Sequence, residues 1–342
     1  MNRAKISISF AAVAAAAALA CARAEVSLPV ADNMVLPEGG SQARFSNVFG
    51  SNMVLQRDSE IPVWGFAPQG TAVRVSLDGG APVSATADST GRWIVTFPAI
   101  AVPGGNHTLA LSADGQADVV LANIAIGDVW LCTGQSNMEM SISWGNVVGA
   151  NEALSAAANS PNLRFYIVPR TSDKSAPHAD VKPGLYVNDG ESNPTDQEVG
   201  VWKVSSSEYA NVFSAAGLFF ALKLQAENIG VPIGLVSSCK GGTDIEAWMS
   251  AERYNSLSGI TRRNFSGDRF NPMTFPLFPM AVKGAIWYQG CNNVWAGNQS
   301  DYDVLLPAMV DEWRSNFTSA EARSRSTSSR FRQPSARPPR PP

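Results

Sequence analysis

The chain of 342 residues is 45% hydrophobic and 16% charged, which excludes a disordered polymer and leaves room for more than one core, since single cores stop growing at roughly 250–300 residues. Its formal charge is −3, but residues 322–342 carry six arginines and no acid, so the body before them stands near −9. Such a body does not resemble a nucleic-acid binder.

Residues 1–24 read as an export signal. Arg3 and Lys5 supply the positive start, residues 6–20 the apolar run, and Ala22-Arg23-Ala24 a small-x-small cleavage site. The run is too short for a bilayer span of about 20 residues. The protein is therefore expected to be exported, periplasmic or extracellular, without a membrane span; a lipid anchor on Cys21 is the alternative.

Residues 25–126 follow a β grammar. Alternating runs at 61–64, 72–77 and 93–97 are separated by turn signals at Asp78-Gly79-Gly80, Pro103-Gly104-Gly105 and Asp114-Gly115. This spacing predicts a small antiparallel β-sandwich, with His107 on the surface of its last hairpin.

Residues 127–318 alternate apolar strands with helices. Apolar runs at 129–132, 163–168, 233–236 and 285–288 fit parallel strands buried on both faces. Helical periods cover residues 206–228, with a serine cap and Gly230 as the stop, then 246–257 and 302–317, the last tolerating Pro307. The alternation predicts a doubly wound α/β domain with a parallel sheet. A polar loop at 171–200 holds His178. Beyond it, residues 319–342 are dominated by Ser, Arg and Pro and cannot bury enough surface to fold. They read either as a natural basic tail or as the product of a shifted reading frame near Ala320. The unfinished look of the α/β domain favours the frameshift.

Three cysteines remain after Cys21: Cys132, Cys239 and Cys291, with no C-x-x-C spacing and no nearby histidines. A zinc site needs about four closely spaced ligands, so neither a metal nor another cofactor is expected. Free buried thiols are the first reading, and a Cys239–Cys291 disulfide the second.

Three of the predicted strands end in residues that carry chemistry. The first runs into Gly134-Gln135-Ser136-Asn137-Met138, the second into Lys240-Gly241-Gly242-Thr243, and the third into Gln289-Gly290-Cys291-Asn292-Asn293. In a parallel sheet all three open on one edge, where ligands of α/β proteins bind. A serine, a Gly-Gly turn with unshielded N–H groups and a side-chain amide are the parts of an acyl-transfer site. Each also has a plainer reading: Ser136 as a helix cap, Gly241-Gly242 as a turn, Gln289 as a partner for strand-end backbone.

With Asn52-Met53-Val54-Leu55-Gln56-Arg57, Pro62-Val63-Trp64-Gly65, Asp128-Val129-Trp130 and Ile245-Glu246-Ala247-Trp248 added, the chain resembles the sialate O-acetylesterase family of SGNH hydrolases over residues 52–314. The resemblance implies Ser136 as nucleophile. It implies an oxyanion hole made of the Ser136 N–H, a Gly241 or Gly242 N–H and the Gln289 amide. Asn137, Trp248, Asn292 and Asn293 are the expected substrate-binding residues, and the aromatics Trp144, Trp248, Trp287, Tyr288 and Trp295 could stack on sugar rings. The substrate class would be an O-acetylated sugar or sialic acid, with acetyl-xylan the nearest enzymatic alternative. The family's Asp-x-x-His pair has no match, because Gly104 and Ser175 stand three residues before His107 and His178. Its acidic residue after Gln-Gly is replaced by Cys291. This chain is therefore expected to be weak or inactive, and the competing reading is a decayed or purely glycan-binding fragment.

Overall fold

The computed structural model describes residues 26–31, 33–38, 40–185, 198–227 and 230–318. The expected export signal with Cys21, and the Arg/Ser/Pro tail from 319 onward, lie outside the described residues.

The first part of the chain builds β1 (Arg44–Phe45), β2 (Val54–Gln56), β3 (Ile61–Phe66), β4 (Ala72–Leu77), β5 (Val83–Thr86), β6 (Arg92–Phe97), β7 (Gly104–Ala113) and β8 (Val119–Gly134). Strands β1, β3 and β6 form an antiparallel sheet of three. Strands β5, β4 and β7 run antiparallel side by side and join the first half of β8. Alternation sends Val73, Val75, Leu109 and Leu111 inward, where they share one apolar cluster with Trp64 and Trp93. Gly104 and Gly105, expected in a turn, instead open β7.

The second part adds α1 (Ser136–Glu139), α2 (Ala150–Ala158), β9 (Leu163–Ile167), the short pair β10 (Gly184–Leu185) and β11 (Glu198–Val199), β12 (Trp202–Val204), α3 (Ser207–Val212) and α4 (Ala215–Glu227). Then follow β13 (Ile233–Cys239), α5 (Ala251–Ser256), β14 (Gly284–Tyr288), α6 (Cys291–Trp295) and α7 (Tyr302–Asn316). The second half of β8 lies parallel to both β13 and β14, and β13 is parallel to β9, with β12 antiparallel outside it. Strands β9 and β13 are buried along their whole length, as parallel strands covered on both faces must be; β14, expected to be buried as well, pairs only with β8 among the described residues and leaves Ala285 and Tyr288 exposed. One apolar cluster holds Met138, Ala153, Ala210 and Leu218 from the helices α1 to α4. The other holds Trp248, Leu305 and Trp313.

Strand β8 crosses position 126 without a break, so the antiparallel and parallel strands belong to one mixed sheet. At Gly127 a Cβ would overlap the Pro232 carbonyl, and Asp128 N donates to that same oxygen at 2.9 Å. A glycine here lets the head of β13 close onto β8.

Two helices differ from expectation. The period over 206–228 predicts one helix but two form, because Phe213 turns extended (ψ 163°) and packs tilted against Phe165, ring centroids 4.6 Å apart. Ser206 does cap the first, accepting Tyr209 N at 3.1 Å, and Ser214 Oγ accepts Gly217 N at 3.1 Å to restart the second. Over 246–257, a 3₁₀ turn (Ile245–Trp248) precedes α5, which Ser250 caps by accepting Arg253 N at 2.9 Å. The three described cysteines are free thiols; Cys239 is buried and Cys291 exposed, so the disulfide alternative does not form. Among the described residues no helix is long and apolar enough to cross a membrane.

Gly134 joins β8 to the turn that follows. Its φ of +139° is one that L side chains rarely adopt, and a Cβ there would overlap the Tyr288 carbonyl. Backbone strain and overpacking each cost about 1–3 kcal/mol. Gly134→Ala is expected to lower stability by about 3 kcal/mol in urea titrations; a loss below about 1 kcal/mol would contradict the close approach.

Candidate active site

Parallel register sets Gly134, Cys239 and Tyr288 level with one another at the carboxyl edge. The residues after each strand therefore meet, as the sequence predicts. Gln135, buried, stitches them: its N–H donates to Tyr288 O at 3.0 Å, while its Oε1 accepts Gly290 N at 3.2 Å and Asn292 N at 3.1 Å. Lys240 N donates to Gly134 O at 3.1 Å and closes the third side.

Ser136 is the first residue of α1 and half-buried. Neither its N–H nor its Oγ engages another described residue, and the same is true of the Gly242 N–H. Gly242 takes φ +70°, and the space where its Cβ would stand is open. Gly241 departs from the implied role. Its N–H is spent on Glu139 Oε2, leaving Gly242 as the glycine whose N–H faces no acceptor.

The Gln289 amide is also engaged. Nε2 donates to Thr243 O at 2.9 Å and Asn293 Oδ1 at 2.7 Å, and Oε1 accepts the Tyr302 hydroxyl at 2.7 Å. As placed, it is a strut between two loops rather than a free oxyanion donor. Burial pushes the Tyr302 phenol up to about 12, so it stays a hydroxyl donor in this network.

The expected substrate-binding residues divide. Asn137 lies at the mouth, its Nδ2 3.9 Å from the exposed Cys291 thiol. Half-buried Asn292 donates from Nδ2 to Asp244, which Arg263 Nη2 pairs at 2.9 Å. Asn293 and Trp248 are not available to substrate, because both are 0% exposed. Asn293 Nδ2 donates to Glu246 Oε2 at 2.9 Å and its Oδ1 accepts Ile245 N at 3.0 Å. Trp248 donates to Thr243 Oγ1 at 3.0 Å and meets the edge of Trp287 at 6.1 Å. Trp287 turns inward as well, donating to Tyr302 Oη at 2.9 Å. Of the five aromatics expected to stack on sugar rings, Trp295 at 82% and Tyr288 at 49% are exposed, and Trp144 is half-buried. Cys291 and Trp295, four residues apart on α6, share a helix face.

Both histidines are held elsewhere. His107 Nδ1 lies 2.6 Å from Asp78 Oδ2 in the β4–β7 region, and His178 Nε2 lies 2.8 Å from Asp173 Oδ2. Hydrogen bonds from Ser175 and then His178 hold the Asp173 carboxyl down to about 2. Among the described residues no imidazole reaches Ser136, and no group of three or more His, Cys, Asp or Glu side chains is placed to hold a metal ion. Sequence reading missed Glu139 and Arg170, whose side chains pair at 2.8 Å behind Ser136. The available signal was an acid three residues after Ser136, within one helical turn of it.

A family model described as carbohydrate esterase, sialic acid-specific acetylesterase matches residues 126–322. Sialate O-acetylesterases of Homo sapiens and Pongo abelii are each 28% identical over 295 residues, covering 80% of this chain and 53% of the relative. The chain thus spans about half the length of the curated relatives it matches. A crystallised carbohydrate acetylesterase from Xanthomonas citri is 34% identical, with a TM-score of 0.66 over 80% of this chain and 57% of that one. With more than half of its residues matched, this chain belongs to the sialic acid-specific acetylesterase family of carbohydrate esterases.

Proposed function

We propose that this chain carries the acyl-transfer site of an exported carbohydrate O-acetylesterase, with Ser136 as nucleophile. The observation that supports it best is the pair of unengaged N–H groups, on Ser136 and Gly242, beside the unengaged Ser136 hydroxyl. In this reading Oγ attacks the acetyl carbonyl, its proton passes to a base, and the carbonyl oxygen gains charge facing the two N–H groups. Collapse breaks the ester C–O bond, the departing sugar oxygen takes the proton back from the base and leaves as a hydroxyl, and water then releases acetate from Ser136. One oxyanion donor is worth about 10²–10³ in kcat. Trp295 and Tyr288 offer apolar faces to a sugar ring near the mouth. An O-acetylated sugar or sialic acid is the substrate class, and acetyl-xylan the enzymatic alternative. The finer architecture is read the same way: a wound SGNH-type sheet behind a β-sandwich, preceded by a cleaved export signal.

Turnover by these residues alone is inferred to be slow. Serine hydrolases stripped of a triad member keep roughly 10³–10⁴ over the rate in water, and no described imidazole meets Ser136. The same observation favours a second reading, a glycan-binding chain without turnover.

Covalent labelling by a fluorophosphonate separates the two readings. Slow labelling that disappears in Ser136→Ala is expected, whereas no labelling of the folded protein selects the binding reading. His178→Ala is expected to change the labelling rate by less than about two-fold, because its ring is tied to Asp173; a ten-fold loss would make His178 the base. Trp295→Ala should weaken binding of an acetylated pyranoside about three- to ten-fold, the worth of one aromatic stack, and unchanged affinity in calorimetry would remove it from the sugar site.

A further inference from the structure

One buried acid beside Ser136 takes no part in this acyl-transfer scheme. Glu139 ends the turn α1 that Ser136 begins, and is 2% exposed. A carboxylate in such a place is costly unless it is paired and hydrogen-bonded. Here it is both. Oε1 lies 2.8 Å from Arg170 Nη1, and Oε2 accepts the Gly241 N–H. Arg170 follows β9, Gly241 follows β13 and Glu139 follows β8, so one ion pair ties together three neighbouring strand ends. The same pair borders the Cys239 thiol, which burial pushes up to about 11. A Cβ on Gly241 would stand 3.1 Å from Glu139 Oε2 and 3.4 Å from Ser136 Cβ. Serine and carboxylate therefore flank the same glycine.

We propose that Glu139, neutralised by Arg170, is a positioning residue that clamps the Gly241-Gly242 turn and aims the Gly242 N–H at the carbonyl attacked by Ser136. The inference rests on the acyl-transfer reading of Ser136. By taking the Gly241 N–H, the carboxylate fixes the turn at a residue that lies against the serine. The next N–H, on Gly242, has no acceptor among the described residues, and the space where its Cβ would stand is open. Charge balance belongs to the device. An unpaired carboxylate this near Ser136 would oppose the negative charge developing on the substrate oxygen, and the Arg170 guanidinium offsets it.

Two measurements on the full chain test the clamp: acylation by p-nitrophenyl acetate, and amide hydrogen exchange at Gly241 and Gly242. Glu139→Ala is expected to acylate about 10²-fold more slowly with KM within about two-fold, the size of effect that a misplaced group produces. Exchange at both glycines should rise more than about ten-fold, while β4 amides stay as in the wild type. Glu139→Gln, which still offers Gly241 an acceptor, should recover most of both. A Glu139→Ala chain with native β4 exchange that acylates at the wild-type rate overturns the proposal. If the alanine variant fails to fold, the comparison moves to an Arg170→Met background, where no buried charge is stranded. There Glu139→Gln should acylate at least about ten-fold faster than Glu139→Met, and equal rates overturn the clamp. If the wild type acylates no faster than Ser136→Ala, the acyl-transfer reading fails separately. Exchange then decides: unchanged protection of Gly241 and Gly242 in the variants overturns the clamp, and faster exchange supports it.

Discussion

At Gly134 the backbone of β8 comes so near the Tyr288 carbonyl that no side chain fits between them. The whole site depends on that approach. It puts Gln135 N on Tyr288 O and brings Gln135 Oε1 to the Gly290 and Asn292 N–H groups. A side chain at 134 would push β14 outward and carry Gln289, Gly290 and Cys291 with it. Since β13 is registered on the other flank of β8 through Cys239, every loop at this edge takes its position from one glycine.

Behind the edge, the two loops that frame the site are locked by amides. Glu246 is fully buried and has its carboxylate oxygens met by Asn293 Nδ2 at 2.9 Å and Asn298 Nδ2 at 2.7 Å. Asn293 then accepts from Ile245 N and Gln289 Nε2, and Gln289 reaches Thr243 O. Each buried polar group has a partner, so the network costs little and specifies one arrangement. Removing any one amide would strand a buried acceptor, at about 1–3 kcal/mol. The Gly-Gly-Thr loop and the loop after β14 therefore move together or not at all.

The convergence of the three strand ends was legible in the sequence because parallel strands are continuous apolar runs, buried in the second half of β8 and in β13 and partly exposed in β14, and each run stops at a glycine or a polar residue. Which side chains face the opening was not. Asn292 and Asn293 are adjacent and chemically identical, yet one is half-buried and its neighbour is fully enclosed; a helical turn of about 100° per residue decides between them. Trp248 carries the same ambiguity, since an indole suits a sugar platform and a core equally well. Gln289 has the chemistry of an oxyanion donor, but its two amide protons go to acceptors 46 and four residues away in sequence. The break at Phe213 was hidden for a related reason: the ring it packs against, Phe165, lies on β9, and a periodicity cannot register it.

The donors at this site and its proton transfer are separate physical problems. The Ser136 and Gly242 N–H groups are held by backbone geometry, with Gln135, Glu139 and Gly134 fixing the turns that carry them. Such preorganised donors lower the barrier without rearranging when charge appears. They also bind a carbonyl oxygen in the ground state, so on their own they serve a binding site as well as an enzyme. In the proposed acyl-transfer reading, what would convert binding to turnover is a base at Ser136 Oγ, and His178 is committed to Asp173 instead. Because Oγ has no partner to give up, an imidazole brought to it would complete the chemistry while every donor stayed in place. On that reading the donors and the proton acceptor are separable parts of the site.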